Sequence, residues 1–265
     1  MAIKRAMPVA LTIAGSDSGG GAGIQADLKT FAAFGVHGTS AITCITAQNP
    51  CQVLGIEAIK SEMVVQQIEA VFAELRPAAV KTGMLYSAAI VRAVTKYLGR
   101  AKREWLVVDP VMVSSSGASL LKSSAIDVVR RELLPLADLI TPNLSETSML
   151  VGRPIHSVED MRTAARDLTL LFGCAVLVKG GHLQGAKEAA DIFYDGETEL
   201  LLSAPFIPGL KTNGTGCTYS AAITAHLALG RDLPAAVVAA KEHITQAIAD
   251  SRTAAGHHVL NNFGG

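Results

Sequence analysis

Short, continuous apolar runs recur along the chain at residues 9–14, 79–80, 106–108, 139–140 and 175–178. None alternates apolar with polar positions, and unbroken apolarity marks a strand covered on both faces, as in a parallel sheet. The intervening segments carry apolar residues at helical spacing. Ile24, Leu28, Phe31 and Ala32 share one face, and Met63, Val64, Ile68, Val71, Phe72 and Leu75 form a second stripe. Ile90, Val91, Val94 and Leu98 make a third, and Val158, Met161, Ala165 and Leu168 a later one. The Ala- and Leu-rich, proline-free run 219–229 predicts a further helix. This repeated alternation predicts an α/β fold with an open, mostly parallel sheet wrapped by helices.

Two regions break the pattern. Residues 38–47 and 53–59 are rich in Thr, Ile and Val with no helix between them, and predict an antiparallel flap or sheet edge. Residues 191–193 and 199–203, separated by a turn containing Asp195-Gly196, predict a hairpin. No repeat, low-complexity tract or Pro/Ser-rich linker interrupts the chain, so a single domain over residues 1–265 is expected.

Composition narrows the partners. An apolar content of 49% with 17% charged residues and a mean hydropathy of +0.35 suits a large, well-covered core. Twenty-three basic and 23 acidic residues cancel, without a long basic run, which argues against nucleic acid or an anionic membrane as partner and for a small molecule. Cys44, Cys51, Cys174 and Cys217 are scattered without a C-x-x-C pair, so neither a zinc site nor a disulfide framework is expected, and a reducing, cytoplasmic compartment fits. Lys4 and Arg5 before an apolar stretch superficially mimic a signal peptide, but the run is short and enters a glycine-rich loop, as a buried first strand would. No run approaches the length of a membrane-spanning helix.

In such a sheet, ligands bind beyond the carboxyl ends of the strands, and there polar and glycine residues collect. They are Gly15 to Gly23, then Lys81-Thr82-Gly83-Met84, Asp109-Pro110-Val111-Met112, Thr141-Pro142-Asn143-Leu144-Ser145-Glu146 and Lys179-Gly180-Gly181-His182. The first loop has neither a P-loop nor a dinucleotide-binding spacing, because Lys29 comes too late and the glycines at 15, 19, 20, 21 and 23 are misplaced. It is either a plain turn or a place where the backbone approaches a flat substrate. Asp109 and Glu146 offer hard oxygens suited to magnesium, or else serve as a turn residue and a helix first-turn acid. Lys179 is a phosphate contact or a solvated lysine. Gly214-Thr215-Gly216-Cys217-Thr218 opens the helix at 219–229, so unpaired N–H groups and the positive helix end make an anion cradle. Cys217 stands inside it, where the field is expected to favour its thiolate.

These segments together, above all Gly20-Gly21-Ala22-Gly23-Ile24-Gln25-Ala26-Asp27-Leu28-Lys29 and Gly214-Thr215-Gly216-Cys217-Thr218, resemble the bacterial hydroxymethylpyrimidine/phosphomethylpyrimidine kinases of thiamin biosynthesis, in the ribokinase-like superfamily. The resemblance runs from about residue 8 to about residue 250. It implies a three-layer α/β/α fold, ATP and magnesium as cosubstrates, and a homodimer. It further implies that Gln48 reads the pyrimidine edge, that Gly15, Ala22, Met84 and Val111 line its pocket, and that Asp109 and Glu146 organise magnesium. Asn143, Lys179 and Thr215 would lie near the ATP phosphates, while Gly214, Gly216 and Cys217 would form the anion hole and place Cys217 against the acceptor hydroxyl. Many relatives in the superfamily carry aspartate at the position of Cys217. The tail at 256–263 lacks the proline usual in the family, which leaves its contacts undetermined.

Alternatives stay open at this level. A vitamin B6 kinase acts on a similar flat aza-aromatic with a hydroxymethyl group. A non-catalytic pyrimidine sensor would keep the fold, but the intact Asp109, Glu146, Lys179 and Cys217 set argues against it. A cysteine hydrolase would need His182 or His226 beside Cys217. Residues 117–122 and the flap at 38–59 are the segments expected to move.

Overall fold

The computed structural model describes residues 6–113, 121–181, 183, 187–207 and 213–263. The first unit is β1 (Val9–Asp17), α1 (Gly23–Ala33), β2 (His37–Gln48) and β3 (Val53–Ala58), followed by α2 (Ser61–Glu74), β4 (Ala79–Thr82), α3 (Ala88–Leu98) and β5 (Trp105–Val108). Then come α4 (Ser123–Val128), β6 (Leu139–Ile140), α5 (Leu144–Val151), α6 (Val158–Phe172) and β7 (Ala175–Lys179). The hairpin β8 (Glu188–Tyr194) and β9 (Glu199–Pro205) precedes α7 (Thr215–Ala228), α8 (Leu233–Ala249) and a terminal hairpin, β10 (Arg252–Ala254) with β11 (His257–Val259).

Among the described residues, nine strands form one sheet in the order β3-β2-β1-β4-β5-β6-β7-β8-β9. The six from β2 to β7 are parallel, and β3, β8 and β9 run antiparallel. The predicted flap needs one correction. β2 pairs with β1 along most of its length, from Val9 with His37 to Asp17 with Thr46, and only its second part also pairs antiparallel with β3. Ala41 is fully buried against Val64 and Ile68 of α2, and Cys44 is fully buried beside Gly15, whereas most of β3 is exposed. The predicted hairpin turn is present: Asp195 Oδ1 accepts from the N–H groups of Glu197 and Thr198. Gly196 supplies the left-handed backbone there, with φ +104°.

Strand alternation feeds two cores. Leu11, Ile13, Val80, Leu106, Val108, Val176 and Val178 face α2 to α6. Ala10, Ala79, Val107, Leu139 and Leu177 face α1, α7 and α8. Helices thus cover both faces in three layers. Every residue of α7 from Thr218 to Ala228 is buried. A helix surrounded in this way must be lined by small side chains, and Ser220, Ala221, Ala222, Thr224 and Ala225 let its neighbours approach. The tight packing aims the N-terminus of α7 at the carboxyl ends of the parallel strands.

His226, 5% exposed in the last turn of α7, lies against the ring of Phe34 with centroids 4.4 Å apart, and His243 of α8 packs on the same ring at 4.7 Å. Neither nitrogen of His226 has a hydrogen-bond partner. Burial, with Arg231 and His243 adding to it, pushes its pKa down to about 4. The folded protein therefore keeps a neutral imidazole where the unfolded chain, with an ordinary value near 6.5, takes up a proton. Because the unfolded state binds more protons between these values, stability is present above about pH 6.5 and is lost as pH falls toward 4. Thermal midpoints measured across this window should fall with pH, and the slope should flatten in His226→Phe, with a residual part from His243.

Candidate active site

The carboxyl ends of β5, β6 and β7 meet at one carboxylate. Asp109, just beyond β5 and 3% exposed, accepts from Lys179 Nζ at 2.8 Å and from Thr141 Oγ1 at 3.2 Å through Oδ1. Ser220 Oγ of α7 lies 3.2 Å from its other oxygen, Oδ2. Lys179 is consequently no solvated lysine. Burial alone would push its ammonium pKa down, but the carboxylates of Asp109 and Glu146 more than reverse this and raise it. The charge reaches the first turn of α7, and a Cβ on Gly216 would stand 3.2 Å from Lys179 Nζ. Glycine at 216 lets the helix N-terminus and the cation share one place.

Glu146 does the work of a helix cap. Asn143 Oδ1 accepts from Glu146 N, and Glu146 Oε2 accepts from Asn143 N, each at 2.9 Å, making a capping box at α5. Glu146 Oε1 accepts from Met112 N at 2.9 Å, and Asn143 Nδ2 donates to Val113 O at 3.2 Å. This pins the loop after β5, where Val111 is held at φ +42°. A β-branched residue in that conformation is strained and stays there only when its surroundings impose it. Burial raises the Glu146 pKa to about 7 and Asp109 adds to the rise, against Lys179 and the two backbone donors.

The first glycine loop is wound around Asp17. Its Oδ1 accepts from Gly19 N at 2.8 Å, and its Oδ2 from Gly21 N at 3.1 Å and Ala22 N at 2.8 Å. Gln25 of α1 ties the loop from the other side through Asp17 N and Ser16 Oγ, both at 2.8 Å. The loop abuts the anion cradle so closely that a Cβ on Gly214, where φ is +80°, would collide with the carbonyl oxygen of Gly21. A Cβ on Gly23 would likewise strike the carbonyl of Gly15. At Gly15 the space of the missing Cβ is taken by Cys44 Sγ and Met84 Cε, which would stand 2.8 and 2.9 Å from it. Gly15 thereby seats Met84, whose carbonyl is fixed by Thr43 Oγ1 at 2.7 Å.

Gln48 ends β2, and its backbone is bonded through both N and O to Ser18 Oγ. Its side-chain amide makes no hydrogen bond to another described residue. Asn213 Nδ2 donates to Pro50 O at 3.3 Å, so the end of the flap touches the residue before the cradle. Gly15, Ala22, Met84 and Gln48 surround the first loop, Val111 sits on the loop braced by Glu146, and Asn143, Lys179 and Thr215 lie at the ends of β6, β7 and the start of α7. His226 stands nine residues along α7 from Cys217, roughly 13 Å by helical rise, which removes it as a partner of the thiol. His182 and most of the segment 117–122 lie outside the described residues.

The thiol of Cys217 receives the N–H of Gly23, so two helix N-termini, of α1 and of α7, converge on it. The expected thiolate is nevertheless not the resting form. Burial pushes the pKa up to about 11, and Asp27 and Asp109 push the same way, against Lys81 and the Gly23 N–H. Desolvation beside two carboxylates outweighs the helix ends. Asp17, Asp27, Lys81, Thr141 and Ser220 join this cluster of polar groups, although motif reasoning gave none of them a role of its own. A lysine inside a strand and an aspartate on the apolar stripe of α1 were the signals available.

A nine-stranded, mostly parallel sheet of this order with helices on both faces is shared with solved kinases, which makes the fold that of a ribokinase-like kinase. The model of the phosphomethylpyrimidine kinase family matches residues 17–261. The chain is 50% identical over 241 residues to the hydroxymethylpyrimidine/phosphomethylpyrimidine kinase of Rhizobium meliloti, covering 91% of this chain and 90% of that one. A crystal structure of phosphomethylpyrimidine kinase from Clostridium difficile superposes with a TM-score of 0.82 at 44% identity, over 91% of this chain and 99% of that one. An ADP complex of Bacillus subtilis pyridoxal kinase gives 0.89 at 37% identity, over 98% of both. The chain belongs to the phosphomethylpyrimidine kinase family.

Alkylation by iodoacetamide, followed by peptide mass spectrometry, checks the state of the thiol. Exposed Cys51 should react well before Cys217 at pH 8, and the Cys217 rate should keep climbing toward a midpoint near 11. A midpoint below 8 would show that the helix ends prevail.

Proposed function

We propose that this chain transfers the γ-phosphoryl group of ATP to the hydroxymethyl group of 4-amino-5-hydroxymethyl-2-methylpyrimidine, and then phosphorylates the monophosphate to the diphosphate, in thiamin biosynthesis. The observation that carries the reading is the meeting of two helix N-termini and the Lys179–Asp109 pair at Cys217, beside a loop bordered by the free amide of Gln48. Gln48 reads the pyrimidine edge, and Gly15, Ala22, Met84 and Val111 shape its pocket. Asn143, Lys179 and Thr215 receive the ATP phosphates. The N–H groups around Gly214 and Gly216 meet charge on the moving phosphoryl oxygens, an effect worth about 3–4 kcal/mol per well-placed donor.

In the first step the acceptor oxygen bonds to the γ-phosphorus, the bond to the β-phosphate oxygen breaks, ADP leaves, and the hydroxyl proton passes to the Cys217 thiolate. With the thiol at about 11, only a minor fraction is ionised at neutral pH. This is tolerable in a loose transition state, where the proton leaves late. The second acceptor is a phosphate oxygen with a second pKa of about 6, already deprotonated at pH 7. It needs no base.

Among the described residues no group of three His, Cys, Asp or Glu could hold a metal. Asp109 and Glu146 are each engaged in the protein but retain lone pairs, so they fit magnesium carried on nucleotide phosphates and water rather than caged by protein. When bound, the ion neutralises phosphate charge. The same reading takes residues 1–265 as one domain, a cytoplasmic homodimer without nucleic-acid or membrane partners. The balanced charge supports the lack of a nucleic-acid partner, and among the described residues no helix is long and apolar enough to cross a membrane.

The second reading, a pyridoxal kinase or a dual-activity enzyme, draws on the TM-score of 0.89 to a pyridoxal kinase. ADP release with magnesium-ATP and three acceptors (hydroxymethylpyrimidine, its monophosphate and pyridoxal) separates them. Both pyrimidines should turn over faster than pyridoxal, and the reverse order would install the second reading. Gln48→Ala should raise KM for the pyrimidine with little change for ATP, by the about 1–3 kcal/mol of one buried hydrogen bond. Cys217→Ser should lower kcat strongly for the first step and much less for the second. Equal losses in both steps would mean that Cys217 shapes the site without taking the proton.

A further inference from the structure

Behind Lys179 lies a buried ion pair that the scheme above leaves unused. Asp191 of β8 and Lys241 of α8 are 3% and 8% exposed. Lys241 Nζ donates to Asp191 Oδ2 at 2.7 Å and to Ala189 O at 2.9 Å, and Asp191 Oδ1 accepts from Gly180 N at 2.8 Å. The buried stripe of α8 that carries Lys241 is otherwise apolar, with Ala236, Val237, Ala240 and Ile244. Stability is a weak reason for a cation there, because exchanging a buried ion pair for apolar residues is often neutral or favourable.

Strand register supplies a stronger reason. Asp191 is the direct cross-strand partner of Lys179. Further along the same ladder, the paired Leu177 and Phe193 both face α7 and α8. By strand alternation Lys179 and Asp191 leave the sheet on that face too. Opposed residues have Cβ atoms about 4.5–5.5 Å apart, within reach of an ion pair. Lys179 nevertheless bonds Asp109, across β6 in the other direction, at 2.8 Å. The carboxylate that register places beside it is already neutralised by Lys241. The backbone just after Lys179 is tightly seated as well, since a Cβ on Gly180 would strike Ala190 O and the thioether of Met161.

We propose that Lys241 is a positioning residue for nucleotide binding: by holding Asp191, it keeps that carboxylate from capturing Lys179, whose ammonium stays at Asp109 and the first turn of α7. The inference rests on the reading of Lys179 as a phosphate contact, and adds what keeps its amine forward. Of two carboxylates within reach, Lys179 is left the one that borders the anion cradle. No bond is made or broken at Lys241.

The test is calorimetric titration with magnesium and AMP-PCP, a non-hydrolysable ATP analogue, beside steady-state KM values, in variants whose fold is verified by circular dichroism and thermal midpoint. Lys241→Met frees Asp191, so AMP-PCP should bind about tenfold more weakly, as for the loss of one charge-assisted contact, while KM for the pyrimidine stays within about twofold. Adding Asp191→Asn removes the competing charge, and affinity should return to near wild type although Lys241 is still absent. If Lys241→Met does not fold, Lys241→Gln, which keeps a donor for Ala189 O without the charge, decides in its place. A pair that only fastens α8 to β8 would move the thermal midpoint and leave affinity untouched. Wild-type AMP-PCP affinity in the folded single variant, or no recovery in the double variant, overturns the proposal. Lys179→Met separates the underlying reading. If it weakens AMP-PCP binding while Lys241→Met does not, only the role of Lys241 falls. If it leaves binding unchanged, Lys179 is no phosphate contact and both fall.

Discussion

Lys179 and Asp109 end two strands that are not neighbours, since β6 runs between them, and their 2.8 Å ion pair closes that gap. Thr141, from the end of β6, joins the same carboxylate oxygen, and Ser220 of α7 lies against the other. One side chain thereby gathers three parallel strands and the most deeply buried helix. The arrangement also decides where the positive charge rests. Lys179 lies so near the first turn of α7 that a Cβ at position 216 would stand 3.2 Å from the ammonium, a tight contact that the lysine would have to ease. Losing one partner of so buried a pair typically costs about 3–5 kcal/mol, because the other charge is stranded. In the proposed reaction an arriving phosphate would meet a lysine already oriented by Asp109, which spares the ordering that a free surface lysine would require.

The other carboxylates of the site are likewise engaged. Asp17 is occupied by three backbone N–H groups of the first loop, Glu146 by two from the loops after β5 and β6, and Asp27 by Lys81 and Thr12. Each turns an irregular loop into a fixed one by supplying acceptors for donors that would otherwise lie buried and unpaired. The result is a rigid, preorganised set of dipoles around the place where phosphoryl charge would develop. With its acids spent on structure, the site leaves Cys217 as the group to take a proton in the proposed first step. Its high proton affinity then becomes the central electrostatic question of the reaction.

Local information was enough for much of the architecture. Continuous apolarity marked the parallel strands, 3.6-residue spacing marked the helices, and Asp195-Gly196 marked a hairpin turn that the structure contains. Polar residues clustered after strands 1 and 4 to 7 marked the end of the sheet where the site lies. These signals are readable because period, propensity and turn chemistry are properties of neighbouring residues. Even so, β2 read as flap because its buried first half is polar in composition, with Thr39 and Thr43 hidden by the helices above them.

The sequence by itself determined the alternation of elements, the strand ends that bear polar groups, and through its motifs the family. Tertiary structure alone decided what each of those groups does. Lys179 and Asp109 are 70 residues apart, and Lys81 and Asp27 are 54 apart. No local pattern announces pairings at such separations, and they form only when the sheet is complete. The state of Cys217 is the clearest case. Its place at a helix start suggested an acidic thiol, but the balance was set by desolvation and by charges delivered from α1, β4 and β5. A helix end is a local feature, whereas desolvation depends on everything folded around the group.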